Sequence, residues 1–112
     1  MKKKILVLSG DPNSINSEII FKSWKKLSIN QKKRICIVSN LNLLKNQFKE
    51  LNYRVKLKSL SSIDEKADCK KLNILNIDLN FKNSFKVKKK DASKFVIKSL
   101  DLAHNLAIKK KI

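Results

Sequence analysis

Apolar residues follow two rhythms along this 112-residue chain. Ile5-Leu6-Val7-Leu8 and Ile35-Cys36-Ile37-Val38 are unbroken runs with apolar side chains at both parities. That is the pattern of strands covered on both faces of a parallel sheet. Between them Ile20, Trp24 and Leu27 recur at i, i+4 and i+7, with Ile19 alongside, which predicts a core-facing helix over residues 17–27. The same spacing makes Trp24 a core residue rather than a ligand stacker. Leu44, Phe48 and Leu51 mark a second helix over 41–51, with Asn40 as its N-cap and Asn52 closing it. Residues 53–60 alternate strictly and predict a half-exposed strand, and 61–71 are polar and read as a loop. Residues 72–79 predict another strand, bulged where Leu75-Asn76 breaks its phase. Residues 80–90 are basic and irregular, with room for a short strand at Phe85-Lys86-Val87. Asp91 is set to cap a last helix over 92–109, whose inward face runs through Ala92, Phe95, Val96, Ser99, Leu100, Ala103, Leu106 and Ala107. The order predicts a three-layer α/β fold: a mostly parallel sheet, helices on both faces, and the first strand at its centre.

Against that background Leu8-Ser9-Gly10-Asp11-Pro12-Asn13-Ser14-Ile15-Asn16-Ser17-Glu18 stands out. Gly10 is the only glycine and Pro12 the only proline in the sequence, and both fall where the first strand turns into the first helix. Glycine gives access to positive φ or to close approach by another group, and proline pushes Asp11 toward an extended conformation. Asn16 is the predicted N-cap, with Ile15 and Ile20 placed for a hydrophobic staple. A helix starting there aims free N–H groups at the carboxyl end of the strands, where open α/β sheets bind ligands. Asp11 is either a ligand-facing carboxylate or an Asx-turn residue. Glu18 in the first turn suits the helix dipole.

Gly10-Asp11-Pro12-x-x-Ile15-x-x-Glu18 resembles the Gly-Asp-Pro-Ala-Gly-Ile-Gly-Pro-Glu signature of 4-hydroxythreonine-4-phosphate dehydrogenases, which share the wider isocitrate and isopropylmalate dehydrogenase fold. Asn13, Ser14, Asn16 and Ser17 depart from it, and two of those departures replace glycines. Phe95-Val96-Ile97-x-Ser99-Leu100-x-x-Ala103 is similar to a family helix of the form Tyr-Val-x-x-Ser/Thr-Leu-x-x-Ala. The resemblance implies NAD(P)-dependent oxidation and decarboxylation of a small-molecule substrate, 4-phosphooxy-L-threonine, in pyridoxal phosphate (vitamin B6) synthesis. It also implies a divalent metal held by histidines, at a site shared across a homodimer. Of that machinery only Gly10, Asp11 and Pro12 carry over, as cofactor-binding positions for NAD or NADP. No catalytic residue and no metal ligand carries over. The resemblance therefore makes residues 1–112 a single N-terminal α/β segment of a longer dehydrogenase fold, inactive alone and without tight affinity for a cofactor. In the family a core strand would begin near Ile112.

Composition changes this picture little. The formal net charge is +18, carried by 25 Lys and 2 Arg alongside 12 Asn and 13 Ile. That is the profile an AT-rich coding sequence writes, and arginine, the usual reader of phosphate and base edges, is nearly missing. Weak, salt-sensitive, non-specific nucleic-acid binding is expected, without a specific complex. Cys36 reads as a small core residue and Cys69 lies in a polar segment; neither has metal-ligand neighbours. Lys2-Lys3-Lys4 precedes an apolar run too short for a secretory signal, no run spans a membrane, and the cytoplasm is the expected compartment. His104 is the only histidine and reads as a helix boundary residue. Asp64, Glu65 and Asp68 fit a solvated loop better than a cation site. There is no Walker A or G-x-G-x-x-G motif. A receiver-like domain would need an acid after the third strand, where Lys58-Ser59-Leu60-Ser61 stands. A Rossmann-like sugar- or nucleotide-binding half stays open. So does a stand-alone basic α/β module for nucleotide or nucleic acid.

Overall fold

Strands that are apolar at both parities need cover on both sides, and the chain supplies it with helices cut from its amphipathic segments. The computed structural model describes residues 3–112. In chain order the elements are β1 (Ile5–Leu8), α1 (Asn16–Lys25), α2 (Ile29–Arg34), β2 (Ile35–Ser39), α3 (Leu41–Glu50), β3 (Leu57–Leu60), β4 (Leu72–Asn76) and α4 (Lys89–Ile108). The sheet has the order β1-β2-β4-β3 and every pairing is parallel. Val7 lies opposite Ile37, Ile37 opposite Ile74, and Ile74 opposite Ser59, one row across the sheet.

Parity sorts the core into two layers. Ile37, Leu72 and Ile74 face α1 and α3, packing with Ile20, Phe21, Leu44 and Phe48. Cys36, Val38, Leu60 and Leu75 face the other way, with Leu102 and Leu106 of α4 against them. A third cluster, Leu43, Val87 and Ala92, seals the end of the sheet where the strands terminate. Helices on both faces of a parallel sheet are what the sequence predicts.

Several details differ. β1 is an edge strand among the described residues, not the central one, and Ile5 is 48% exposed. An all-apolar run reports cover on two faces, not a neighbour on each side, so it could not place β1 within the sheet. Residues 53–56 are not strand; β3 keeps only Leu57–Leu60. No strand forms at 85–87. α4 begins at Lys89 with Lys88 as its cap, so Asp91 lies inside the first turn as a dipole partner. α2 was not anticipated. Its Ser28 hydroxyl accepts from Gln31 N–H while the Gln31 side chain accepts from Ser28 N–H, a reciprocal capping box. Asn52 does close α3, at φ 59°.

The two thiols differ sharply. Cys36 is fully buried, and that burial pushes its pKa up to about 11, while Cys69 is half-buried in the 61–71 loop. A thiol-reactive probe at pH 8 should label one site quickly, and mass mapping should find Cys69; Cys36 should react only in denaturant. Rapid native labelling of Cys36 would show that the sheet is open on its α4 side.

Candidate functional site

The carboxyl ends of β1 and β2 are bridged at once by a buried hydrogen bond, Ser9 Oγ to Ser39 Oγ at 2.9 Å. Beyond Ser9 the chain reverses at Gly10, whose φ is +72°. That positive φ asks for glycine, and a Cβ there would also meet Asn16 Nδ2 at 3.0 Å, so that the Asn16 amide would have to give way slightly. Asn16 is not the N-cap predicted for it. Its side-chain amide donates back to the Ser9 carbonyl at 2.7 Å, bracing the turn, and Ile15 takes the cap position with no side-chain bond. Ile15 is 68% exposed, so no hydrophobic staple forms.

Asp11 performs the Asx-turn role: its Oδ1 accepts from Asn13 N–H at 2.9 Å, and its carbonyl accepts from both the Ser14 N–H and hydroxyl. The side chain is exposed, and among the described residues Oδ2 has no partner. Pro12, in contrast, is buried, and its carbonyl accepts from Gln47 Nε2 at 2.8 Å. Gln47 donates equally to the Ser84 carbonyl at 2.7 Å. Asn13 makes a two-way bond with Val87, donating to its carbonyl at 2.8 Å and accepting its N–H at 2.7 Å. The Gly10-Asp11-Pro12 turn is thus tied to α3 and to the 77–88 segment by two amide side chains. Sequence reasoning gave neither a role. A signal existed for Gln47: it sits between Leu44 and Phe48 on the buried arc of α3.

The space enclosed by this turn, Ser17, Ser39 and Gln47 is only about 10 Å³, room for one water at most. Ser17 Oγ, which lines it, and Ser84 Oγ are buried without hydrogen-bond partners. The turn therefore presents a rim, with Asp11 outermost, rather than a cleft able to enclose a dinucleotide.

The other side chains capable of chemistry take structural places. His104 is exposed on α4. Asp64 pairs with Lys111 at 3.0 Å, Glu65 with Lys58 at 3.5 Å and Asp68 with Lys71 at 4.0 Å, so the acidic cluster is divided among three lysines. Hydrogen bonds from the Ser61 hydroxyl and N–H hold the Glu65 carboxyl below the ordinary range. Lys4 Nζ donates to the carbonyls of Ile63 and Glu65 and anchors the same loop to the start of β1. Lys22 Nζ, 2.8 Å from Glu18 Oε1, lowers the Glu18 pKa in the same way, with the Tyr53 hydroxyl adding to the effect. Trp24 packs against the core with Lys32 Nζ over its ring at 4.3 Å. Among the described residues no three His, Cys, Asp or Glu side chains come together to hold a metal, so the metal the family resemblance implies does not fit this part of the fold. Nor is any helix long and apolar enough to cross a membrane.

Fold and turn together define the class: a parallel α/β unit of the kind found in the N-terminal part of dehydrogenases. Among the solved structures it matches are three 4-hydroxythreonine-4-phosphate dehydrogenases. A protein so assigned from Salmonella typhimurium aligns over 99% of this chain at a TM-score of 0.84 and 18% identity. The enzyme from Klebsiella pneumoniae aligns over 99% at 0.80 and 20% identity, and that from Burkholderia phymatum over 100% at 0.82 and 14% identity. This chain spans about a third of their length: 36%, 35% and 34%. At these identities the likeness establishes the fold. No protein-family model and no curated sequence matches the chain.

Proposed function

We propose that this chain supplies the N-terminal unit of an oxidoreductase of the 4-hydroxythreonine-4-phosphate dehydrogenase type, acting in pyridoxal phosphate synthesis, with Gly10, Asp11 and Pro12 forming one wall of its NAD(P) site. The observation that carries the reading is a coincidence of two independent signals. The turn that resembles the family signature lies at the carboxyl ends of adjacent parallel strands, in a fold matched over 99% of the chain by such a dehydrogenase.

The geometry supports a role for each of the three residues. Gly10 brings the backbone to the rim without a side chain in the way. Asp11 offers its unpartnered carboxylate oxygen as an acceptor for a cofactor hydroxyl. Pro12, held by Gln47, fixes the turn so that little ordering is needed on binding. A bound nicotinamide would supply the hydride acceptor. The donors for a metal and for the substrate phosphate belong, in this reading, to polypeptide outside these residues, in an assembly that is a homodimer when full length.

Two measurements test it. The purified chain with NAD, a divalent metal and 4-phosphooxy-threonine should form no NADH; turnover would overturn the assignment of this unit as one wall of a larger site. Backbone amide shifts under millimolar NAD should move at Gly10, Asp11 and Asn13 and be lost in Asp11→Ala. An unmoved turn would overturn the cofactor placement.

A further inference from the structure

Two open hollows lie at the far end of the sheet from the Gly10 turn. One, of about 510 Å³, is lined by Lys45, Lys49, Phe48, Val55 and Leu57; the other, of about 780 Å³, by Phe21, Lys22, Lys25 and Lys26. They share Asn52, Tyr53 and Arg54, and so form one trough. The backbone explains its shape. Asn52 turns through positive φ, and Tyr53 N–H reaches back to the Phe48 carbonyl at 2.8 Å. That swings the Tyr53 ring onto Phe21, stacked at 4.2 Å with planes 4° apart, and leaves Arg54 exposed on the rim.

Charge in the trough exceeds what the local structure needs. Lys22 is paired with Glu18, and no ion pair forms at Lys25, Lys26, Lys45, Lys49 or Arg54 among the described residues. The C-termini of α1 and α3 meet here and contribute about half a negative charge each. About four positive charges remain uncompensated above an aromatic floor. Arg54 is one of only two arginines in the chain.

We propose that this trough binds single-stranded nucleic acid without sequence preference, its phosphates on the lysine and Arg54 rims and its bases against the Tyr53 side of the floor. A positive groove with an accessible aromatic ring, here the half-buried Tyr53, is the arrangement that suits a single strand. Concavity disfavours a duplex, which is read by elements that protrude into a groove. It disfavours a bilayer too, because Phe21 and Phe48 are buried and cannot insert.

Binding of a short fluorescein-labelled oligothymidylate to the full chain is the test, with phosphatidylglycerol vesicles as the competing polyanion. The triple variant Lys25→Gln/Lys49→Gln/Arg54→Gln should weaken binding at low salt at least about tenfold and lower the log–log salt slope by about 2, at roughly 0.7 per lost phosphate contact. The triple Lys94→Gln/Lys98→Gln/Lys109→Gln on α4, of identical net charge, should lose less than about threefold. Amide shifts on the unmodified chain should move at Asn52, Tyr53 and Arg54. Equal losses in the two triples, or shifts spread over α4, would show a purely compositional charge effect and overturn the proposal. So would vesicle binding that outcompetes the oligonucleotide.

Discussion

Gln47→Leu is expected to lower stability by roughly 2–4 kcal/mol, although the side chain keeps its volume. Gln47 is 2% exposed and its amide donates to two buried carbonyls, Pro12 and Ser84. Leucine would fill the space and leave both acceptors unpaired, at about 1–3 kcal/mol each, offset in part by burial of its apolar side chain. Hydrogen exchange should accelerate at Asn13 and Val87, while amides in β2 and β4 change only with global stability. Gln47→Glu separates hydrogen bonding from shape. A carboxylate there can only accept, and it would face two carbonyls, so folding should favour its protonated form and raise its pKa above the unfolded value. The stabilising contribution of the protonated acid would then be present below about pH 4 and lost as pH rises through the folded pKa. Denaturation midpoints for Gln47→Glu that do not fall between pH 4 and pH 7, relative to the parent, would contradict this bonding pattern.

Phe95→Ala should be still more damaging, at about 3–5 kcal/mol. Phe95 is 1% exposed and heads the largest fully buried side chains. It lies on the inward face of α4 with Ala92 and Ser99, whose hydroxyl donates to the Phe95 carbonyl at 2.8 Å. At roughly 4 °C per kcal/mol for a domain of this size, the loss corresponds to a fall of roughly 12–20 °C in Tm. Ile97→Ala on the same helix removes a side chain that is 59% exposed and should cost less than about 1 kcal/mol. Similar costs for the two would mean that α4 does not pack through the face described.

Both residues bear on what the sequence made legible. Phe95 was read correctly, because apolar side chains at helical spacing announce the face they bury; Leu100 and Ala107, placed on the same face, are exposed, since periodicity fixes the direction of a face and not its width. The layers of the sheet were legible for the same reason. Gln47 and Asn13 were not: their partners are carbonyls far along the chain, and no periodicity marks a polar group's distant partner. α2 escaped because Ile29–Arg34 buries none of its residues, leaving the Ser28-x-x-Gln31 box as its only mark. Asn16 was recognised as important but given the neighbouring job. Capping and bracing draw on the same amide, and local sequence does not say which backbone group lies nearer. At the site, Gly10 and Pro12 were legible through their rarity. For Asp11 the Asx-turn reading holds, its Oδ1 accepting from Asn13 N–H.

The two borders of the sheet are unlike. β3 carries Lys58 within the strand and Lys56 just before it, and lysine on a border discourages another strand from pairing there. Ile5–Leu8 has no charged residue, proline or bulge along its length. The borders are thus protected differently: β3 by a charge inside the strand, β1 only by Lys3 and Lys4 at its entrance, which leaves the backbone groups along Ile5–Leu8 with no side-chain device against a pairing strand.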